Sequence, residues 1–210
     1  MGSASSPSFG RDGESLALDF ANTWEDRSSS ATDELGSYPD LLAFATEAGI
    51  LDRSQAEDLA ARARESPAAA AKAMAAAVAL REAVYRVFSR RAAGSSAEAE
   101  DLERLSATVA RAATRLALEP EGDGYAWRWR GLEPSLQAPL APIAWSAAEL
   151  LTGGDLGRLR ECDGERCNWL FLDSSRNRSR RWCSMESCGN RAKARRHYRR
   201  RRAGVRPSGD

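Results

Sequence analysis

Four cysteines carry the most specific chemistry in this 210-residue chain: Cys162, Cys167, Cys183 and Cys188, all within 27 residues. Four residues lie inside each pair and fifteen lie between the pairs. Two close pairs at such a separation bring four sulfurs to one tetrahedral centre, and zinc is the metal that a thiolate set of this kind selects. Four sulfurs also close the coordination shell. The expected cofactor is one structural Zn2+, with no bound water left for hydrolysis. Two disulfides, or buried cysteines with no connection, are the alternatives. The opening residues hold no charged segment followed by an apolar one, so the secreted, disulfide-forming reading has less support.

Charge is the second signal. The net charge is only +1, yet residues 1–157 hold 15 Lys and Arg against 24 Asp and Glu, while residues 158–210 hold 16 against 6. That asymmetry predicts an anionic partner for the C-terminal part. Between residues 176 and 202 twelve residues are Lys or Arg and one, Glu186, is acidic. The stretch after Cys188 contains no helix breaker, and on a helix Arg191, Arg195, Arg199 and Arg202 share a face, with Arg196 and Arg200 beside it. Like charges so close repel, so a neutralising partner would stabilise the helix. Duplex DNA suits it, because the major groove admits a helix and arginine can bridge guanine O6 and N7.

Asn190, Arg191 and Arg195, nearest the metal-anchored end, are the expected base readers. Lys193, Arg196, Arg199 and Arg200, with Arg176, Arg178, Arg180 and Arg181 before the second cysteine pair, complete the expected DNA surface, mostly through phosphate. RNA, or a ribosome-associated role, is the weaker alternative, with Trp169, Phe171 and Trp182 as stacking surfaces. In so small a module those three rings are expected to form a mini-core instead. His197 is the chain's single histidine, so no nucleophile–histidine–acid set is in view. No enzyme is expected.

The elements that must position these residues follow from caps and periodicity. Pro39 opens a helix that stops at Gly49, and Ser54 with Glu57 reads as a capping box for a second helix. Ser66-Pro67 begins a long helix with the stripe Ala73, Ala77, Leu80, Val84, Val87, Phe88, closed by Gly94. Ser95 with Glu98 reads as another box, with Leu102, Leu105, Val109, Ala112 and Leu116 along one face. Pro120, Gly122, Asp123 and Gly124 then make a turn, and residues 125–130 alternate aromatics with small or basic residues, as a strand does. Residues 140–151 form one more helix, ended by Gly153-Gly154. The longest apolar run, residues 73–80, is too short to span a membrane.

Around the cysteines the order is knuckle, β-hairpin, second pair, helix, with Asp173 to Arg180 as the hairpin's polar turn. That is the layout of a treble-clef finger. The expected fold is therefore mainly α. A flexible start (1–13) precedes a helical domain with a short β-hairpin (14–155), then a small treble-clef-like, four-cysteine zinc finger (156–203) and a flexible tail (204–210). About 50 residues bury little core, so the finger needs its metal as a staple.

At residues 182–195 the chain reads W-C-S-M-x-x-C-G-N-R-x-K-A-R, which resembles the CGNR zinc-finger family of bacterial proteins. Residues 16–23, L-A-L-D-F-A-N-T, resemble the segment that opens the helical domain accompanying that finger. The resemblance covers roughly residues 14–202. It implies a transcription regulator, often described as stress-induced, with a C-terminal DNA-binding finger.

The expected function is thus a zinc-dependent, DNA-binding transcription regulator, cytoplasmic and nucleoid-associated, with no membrane partner. A homodimer, or a second contact with DNA, is expected, because a lone finger covers little DNA surface. The helical domain is the sensor or dimerisation part. Asp19, Asn22 and Trp24, with Trp127, Trp129 and Trp145 as walls, are its candidate effector pocket. Local turn bonds by Asp19 and Asn22 are the simpler reading of that segment. Two further rivals are an enzyme in the helical domain and a scaffold whose arginines bind acidic partners, including its own acidic half.

Overall fold

A computed structural model describes residues 15–27, 33–131 and 135–204, with side chains to residue 198. The expected loose ends fall outside this range, except residue 204, the last of the final helix. The fold is built around one long helix. Helix α1 spans Leu16–Ala21, α2 Tyr38–Glu47, α3 Arg53–Glu65, α4 Pro67–Ala92 and α5 Ala99–Ala113. Strands β1 (Leu116–Glu121) and β2 (Gly124–Trp129) follow, then α6 (Leu140–Gly153), β3 (Leu159–Glu161), β4 (Leu170–Leu172) and α7 (Asn190–Gly204).

Helix α4 packs against α1, α2, α3, α5, α6 and the β3–β4 pair. Its stripe of Ala73, Ala77, Leu80, Val84, Val87 and Phe88 is buried, as its spacing predicts. Small residues early in the helix let neighbours approach closely, and Phe88 with Phe20, Leu41 and Ile143 fills the core. Proline at its first position and Gly94 beyond its end, at φ +75°, frame it. No helix among the described residues is long and apolar enough to cross a membrane.

Three local expectations need correction. The box of α3 is Asp52 with Gln55, two residues before Ser54: Gln55 N donates to Asp52 Oδ1 at 2.9 Å and Asp52 N to Gln55 Oε1 at 2.9 Å. Aspartate caps as well as serine does, so the apolar pattern decides the start. Helix α5 begins at Ala99 behind Glu98, whose carboxylate pairs with Arg90 and does not close a box with Ser95. Leu116 leaves the helix and opens β1, opposite Trp129 in an antiparallel pair. Trp127 and Trp129 lie on one face of that pair and meet Trp145 edge-on, at 6.5 and 6.3 Å between ring centroids.

One buried charge braces the amino-terminal segment. Arg81 is fully buried, with Nη1 and Nη2 donating to Asp33 at 2.5 and 2.8 Å and Nε to Glu82 at 3.0 Å. Burial alone would raise the Asp33 carboxyl, but the Arg81 hydrogen bonds, the Leu35 backbone N–H and the charges of Arg81 and Arg27 together outweigh it and hold it below the usual carboxylate range. Arg27 pairs with Glu82 at 2.5 Å and lies 3.8 Å over the Tyr85 ring.

The apolar core does not stop at residue 155. Leu159 and Leu170, at 0 and 1% exposure, belong to the same cluster as the helices. Strand β4 pairs antiparallel with β3, Leu159 opposite Leu172 and Glu161 opposite Leu170. The hairpin therefore encloses the first cysteine pair. It does not link residues 168–172 to 181–182, as the sequence suggests: β4 pairs with β3, with Leu170 and Leu172 on the helical core and Phe171 on the cysteines.

Candidate metal centre

Strand β3 runs straight into Cys162, and the pairing is extended by Cys162 N donating to Trp169 O at 2.9 Å. The chain turns between the first two cysteines, with Cys167 N donating to Gly164 O at 3.1 Å. A Cβ on Gly164 would stand 3.0 Å from Cys167 Cβ and 3.1 Å from Cys188 Sγ, so a side chain here would crowd the sulfurs. After β4, Asp173 is buried and accepts from Ser175 N at 2.9 Å and Arg180 N at 3.0 Å. Hydrogen bonds from Ser175 first, and then from these backbone donors, hold its carboxyl below the usual range. This one carboxylate shapes the return to the second pair.

Of the second pair, Cys183 stands just before and Cys188 within a wide helical turn, Met185–Gly189, that leads directly into α7. Each residue of the Cys188-Gly189-Asn190-Arg191 run has a visible task. Cys188 faces the cluster at 1% exposure. A Cβ on Gly189 would meet Met185 Sδ at 2.7 Å. Asn190 Nδ2 donates to Glu186 O at 3.2 Å, tying the turn to the helix. Arg191 Nη2 donates to Cys188 Sγ at 3.0 Å.

The four Sγ atoms lie within 4.8 Å of one another. Cys167 Sγ is 3.6 Å from Cys183 Sγ, which is 3.7 Å from Cys188 Sγ. A tetrahedron with Zn–S bonds of about 2.3 Å has edges of about 3.8 Å. The donor set therefore fits one Zn2+ closed by four sulfurs. Cys183 N also donates to Cys162 Sγ at 3.3 Å, and with Arg191 it gives the sulfurs donors that favour thiolate. Phe171 is buried beside the cysteines, with Trp169 and Trp182 packed against them. This is the mini-core.

Around this centre the basic residues divide. Arg180 is spent on the fold: its guanidinium lies 4.6 Å over Phe171, Nε donates to Trp182 O at 3.0 Å and Nη2 to Cys183 O. Arg178 pairs with Asp155 at 3.2 Å, Arg181 with Asp163 at 2.7 Å and Arg195 with Glu165 at 3.4 Å. Arg176, Lys193 and Arg196 are exposed, with no ion pair among the described residues. So is Arg166, which the sequence reading passed over although it stands inside the first pair. Arg199 and Arg200 continue α7, their side chains outside the described part. His197 is exposed and stands against Tyr198.

Sequence reasoning also missed what holds the hairpin to the helices. Asn22 donates from Nδ2 to Leu170 O at 2.9 Å and accepts from Leu170 N at 2.8 Å. Its amide thus acts as a strand edge for β4, so its polar atoms are not turned to a pocket with Asp19 and Trp24. Trp24 lies under the guanidinium groups of Arg27 and Arg81, at 5.1 and 5.2 Å. Asp19 is half-buried on α1. Glu161, next to Cys162, is taken by Tyr85 and Ser89 of α4 and by Asn168. Burial, and then the Glu161 charge, push the Tyr85 hydroxyl up to about 12, which keeps it a donor. A polar residue beside a cysteine was the available signal.

These features define a class: a helical domain carrying a four-cysteine zinc finger whose last helix is rich in arginine and holds no acidic residue. Residues 14–154 match the ABATE family, described as "Putative stress-induced transcription regulator", and residues 158–201 match the CGNR zinc finger. The chain belongs to the ABATE family and ends in a CGNR zinc finger. A search of curated proteins finds no match.

Proposed function

We propose that the chain is a transcription regulator that grips duplex DNA with α7, its start fixed by the zinc centre. The observation that carries this reading is the 15-residue α7, basic along its length, with Cys188 at its mouth. A helix without an apolar face has no core to pack on, and phosphate supplies the charge it lacks. Arg191 and Arg195 turn to Cys188 and Glu165, so the free face lies around Lys193, Arg196 and His197. That face is the better candidate for the groove than the Arg191/Arg195 face that spacing alone favours. Arg166 and Arg176 suit flanking phosphates. Trp169 and Trp182 are engaged with the cysteines, which weighs against base stacking and so against single-stranded RNA.

The reading is of a binding protein, not an enzyme. A small-molecule effector has a candidate entry in a cavity of about 500 Å3 between α4, α5 and the turn before α6. Ala76, Ala79 and Ala138 line it together with Arg104, Arg111 and Arg115 and with Glu100 and Glu103, a mixed-charge rim on an apolar floor that suits a small polar organic molecule.

The test is binding of labelled duplexes, drawn from random sequence, to zinc-loaded and chelator-treated protein at several salt concentrations. Binding that weakens steeply with salt and disappears with the metal is expected. Binding that survives metal removal, or structured RNA outcompeting duplex at matched salt, overturns the proposal.

A further inference from the structure

We infer that Glu161 is the positioning residue of the metal centre, through which Tyr85 and Ser89 of α4 set how firmly the first cysteine pair keeps its zinc. The inference rests on the four-cysteine zinc site and needs no assumption about DNA. Glu161 directly precedes Cys162, and Asn168 directly follows Cys167. Glu161 Oε1 accepts from Tyr85 Oη at 3.1 Å and from Asn168 Nδ2 at 3.0 Å, while Oε2 accepts from Ser89 Oγ at 2.6 Å. One carboxylate therefore ties both ends of the first pair to a single turn of α4.

The strands that carry this pair cannot supply that constraint themselves. Strands β3 and β4 are three residues each, and an isolated two-stranded hairpin of that length is not stable in water. Their spacing must come from outside. Asn22 pins β4 through Leu170, and Glu161 pins β3. With Cys162 and Cys167 at the separation of the cluster, all three donors reach the carboxylate. The helical domain thus favours the closed pair, and by reciprocity closure by zinc favours the helical arrangement.

Tyr85 and Ser89 are one helical turn apart on the same helix that lines the α4–α5 cavity with Ala76, Ala79 and Leu80. A shift of α4 would reach the sulfurs through one side chain. That gives the helical domain a physical route to the finger that does not pass through α7.

The experiment uses the full chain and follows zinc transfer to a chromophoric chelator without DNA. Tyr85→Phe with Ser89→Ala removes two donors while leaving the core volume nearly unchanged. Zinc release should be about tenfold faster, the low end of the effect of outer-sphere partners on metal affinity. The zinc-induced rise in melting temperature should shrink, while the melting of metal-free protein changes less. Glu161→Gln, which keeps the shape and loses the charge, should fall between wild type and the double variant. It keeps the inference testable if the double variant does not fold. Tyr125→Phe, on the exposed β2, is the control and should match wild type. Release at the wild-type rate, or an equal loss of stability with and without zinc, would show Glu161 to be packing only and overturn the inference. Neither result depends on whether the protein binds DNA.

Discussion

The two halves of the metal centre are built on opposite principles. The first pair, Cys162 and Cys167, stands on a hairpin sunk into the helical core, with Leu159 and Leu170 almost wholly buried. The second pair, Cys183 and Cys188, shares the small aromatic mini-core but leads into a helix turned to solvent, with Met185 half-exposed and Tyr198 two-thirds exposed. One half is held by apolar burial and satisfied hydrogen bonds, the other chiefly by the metal and by Arg180 and Arg191. The difference teaches that the finger is an extension of the domain, with zinc joining a fixed half to a presented one.

Metal loss should show this contrast most strongly, since apparent zinc binding energies in such sites reach about 10–16 kcal/mol. Cys162→Ser and Cys188→Ser should each release zinc, measured as bound metal per chain. The order of α7 should be lost in both, by hydrogen exchange. Only Cys162→Ser should also loosen the Tyr85–Ser89 turn of α4. Equal protection of that turn in the two variants would count against the contrast.

Core truncation comes next. Leu170→Ala should cost the urea stability of the helical domain about 2–5 kcal/mol, the range for a buried leucine. Ser184→Ala, which removes a cap on the second pair's turn, should leave that stability unchanged. If the two variants unfold alike, the hairpin is not part of the domain core.

Acid should separate the halves by pH. Zinc binding competes with protons for thiols whose ordinary value is about 8.5, so metal should leave first as pH falls. Asp33, and Asp101 held by Arg86, lie below the usual carboxylate range. Their stabilisation is fully present above the unfolded value of about 4 and is lost only as pH falls through the lowered folded values. Helical circular dichroism should therefore outlast the metal. Simultaneous loss would mean that the helical domain cannot stand without the finger.

The smallest effect concerns α7 itself. Arg196→Ala should weaken all duplexes and lower the salt slope by about one. Arg195→Ala, facing Glu165, should change it less. The reverse order would return the groove face to the one that spacing favours.

Much of this was legible in residue order. The cysteine spacing, the stripe of α4 and the CGNR run needed no coordinates, because each depends on short-range geometry. The pairing partner of β4 was not legible. Residues 168–172 and 181–182 looked like two arms of a hairpin because they are close in sequence, whereas the actual partner, β3, lies across the first cysteine pair. The roles of Asn22 and Glu161 were hidden for the same reason: their contacts span 148 residues in one case and 72 to 76 in the other. Cap positions missed by two or three residues, since several residues nearby could serve equally well as caps.

What the chain order settled is which groups exist to bind metal and anion, since thiol spacing and helical periodicity are local properties. Which arginines remain free for a partner, and which carboxylate steadies the zinc, was decided only by tertiary contacts. A long side chain finds its partner by proximity in space, and that proximity is created by burying Leu159 and Leu170 against α4.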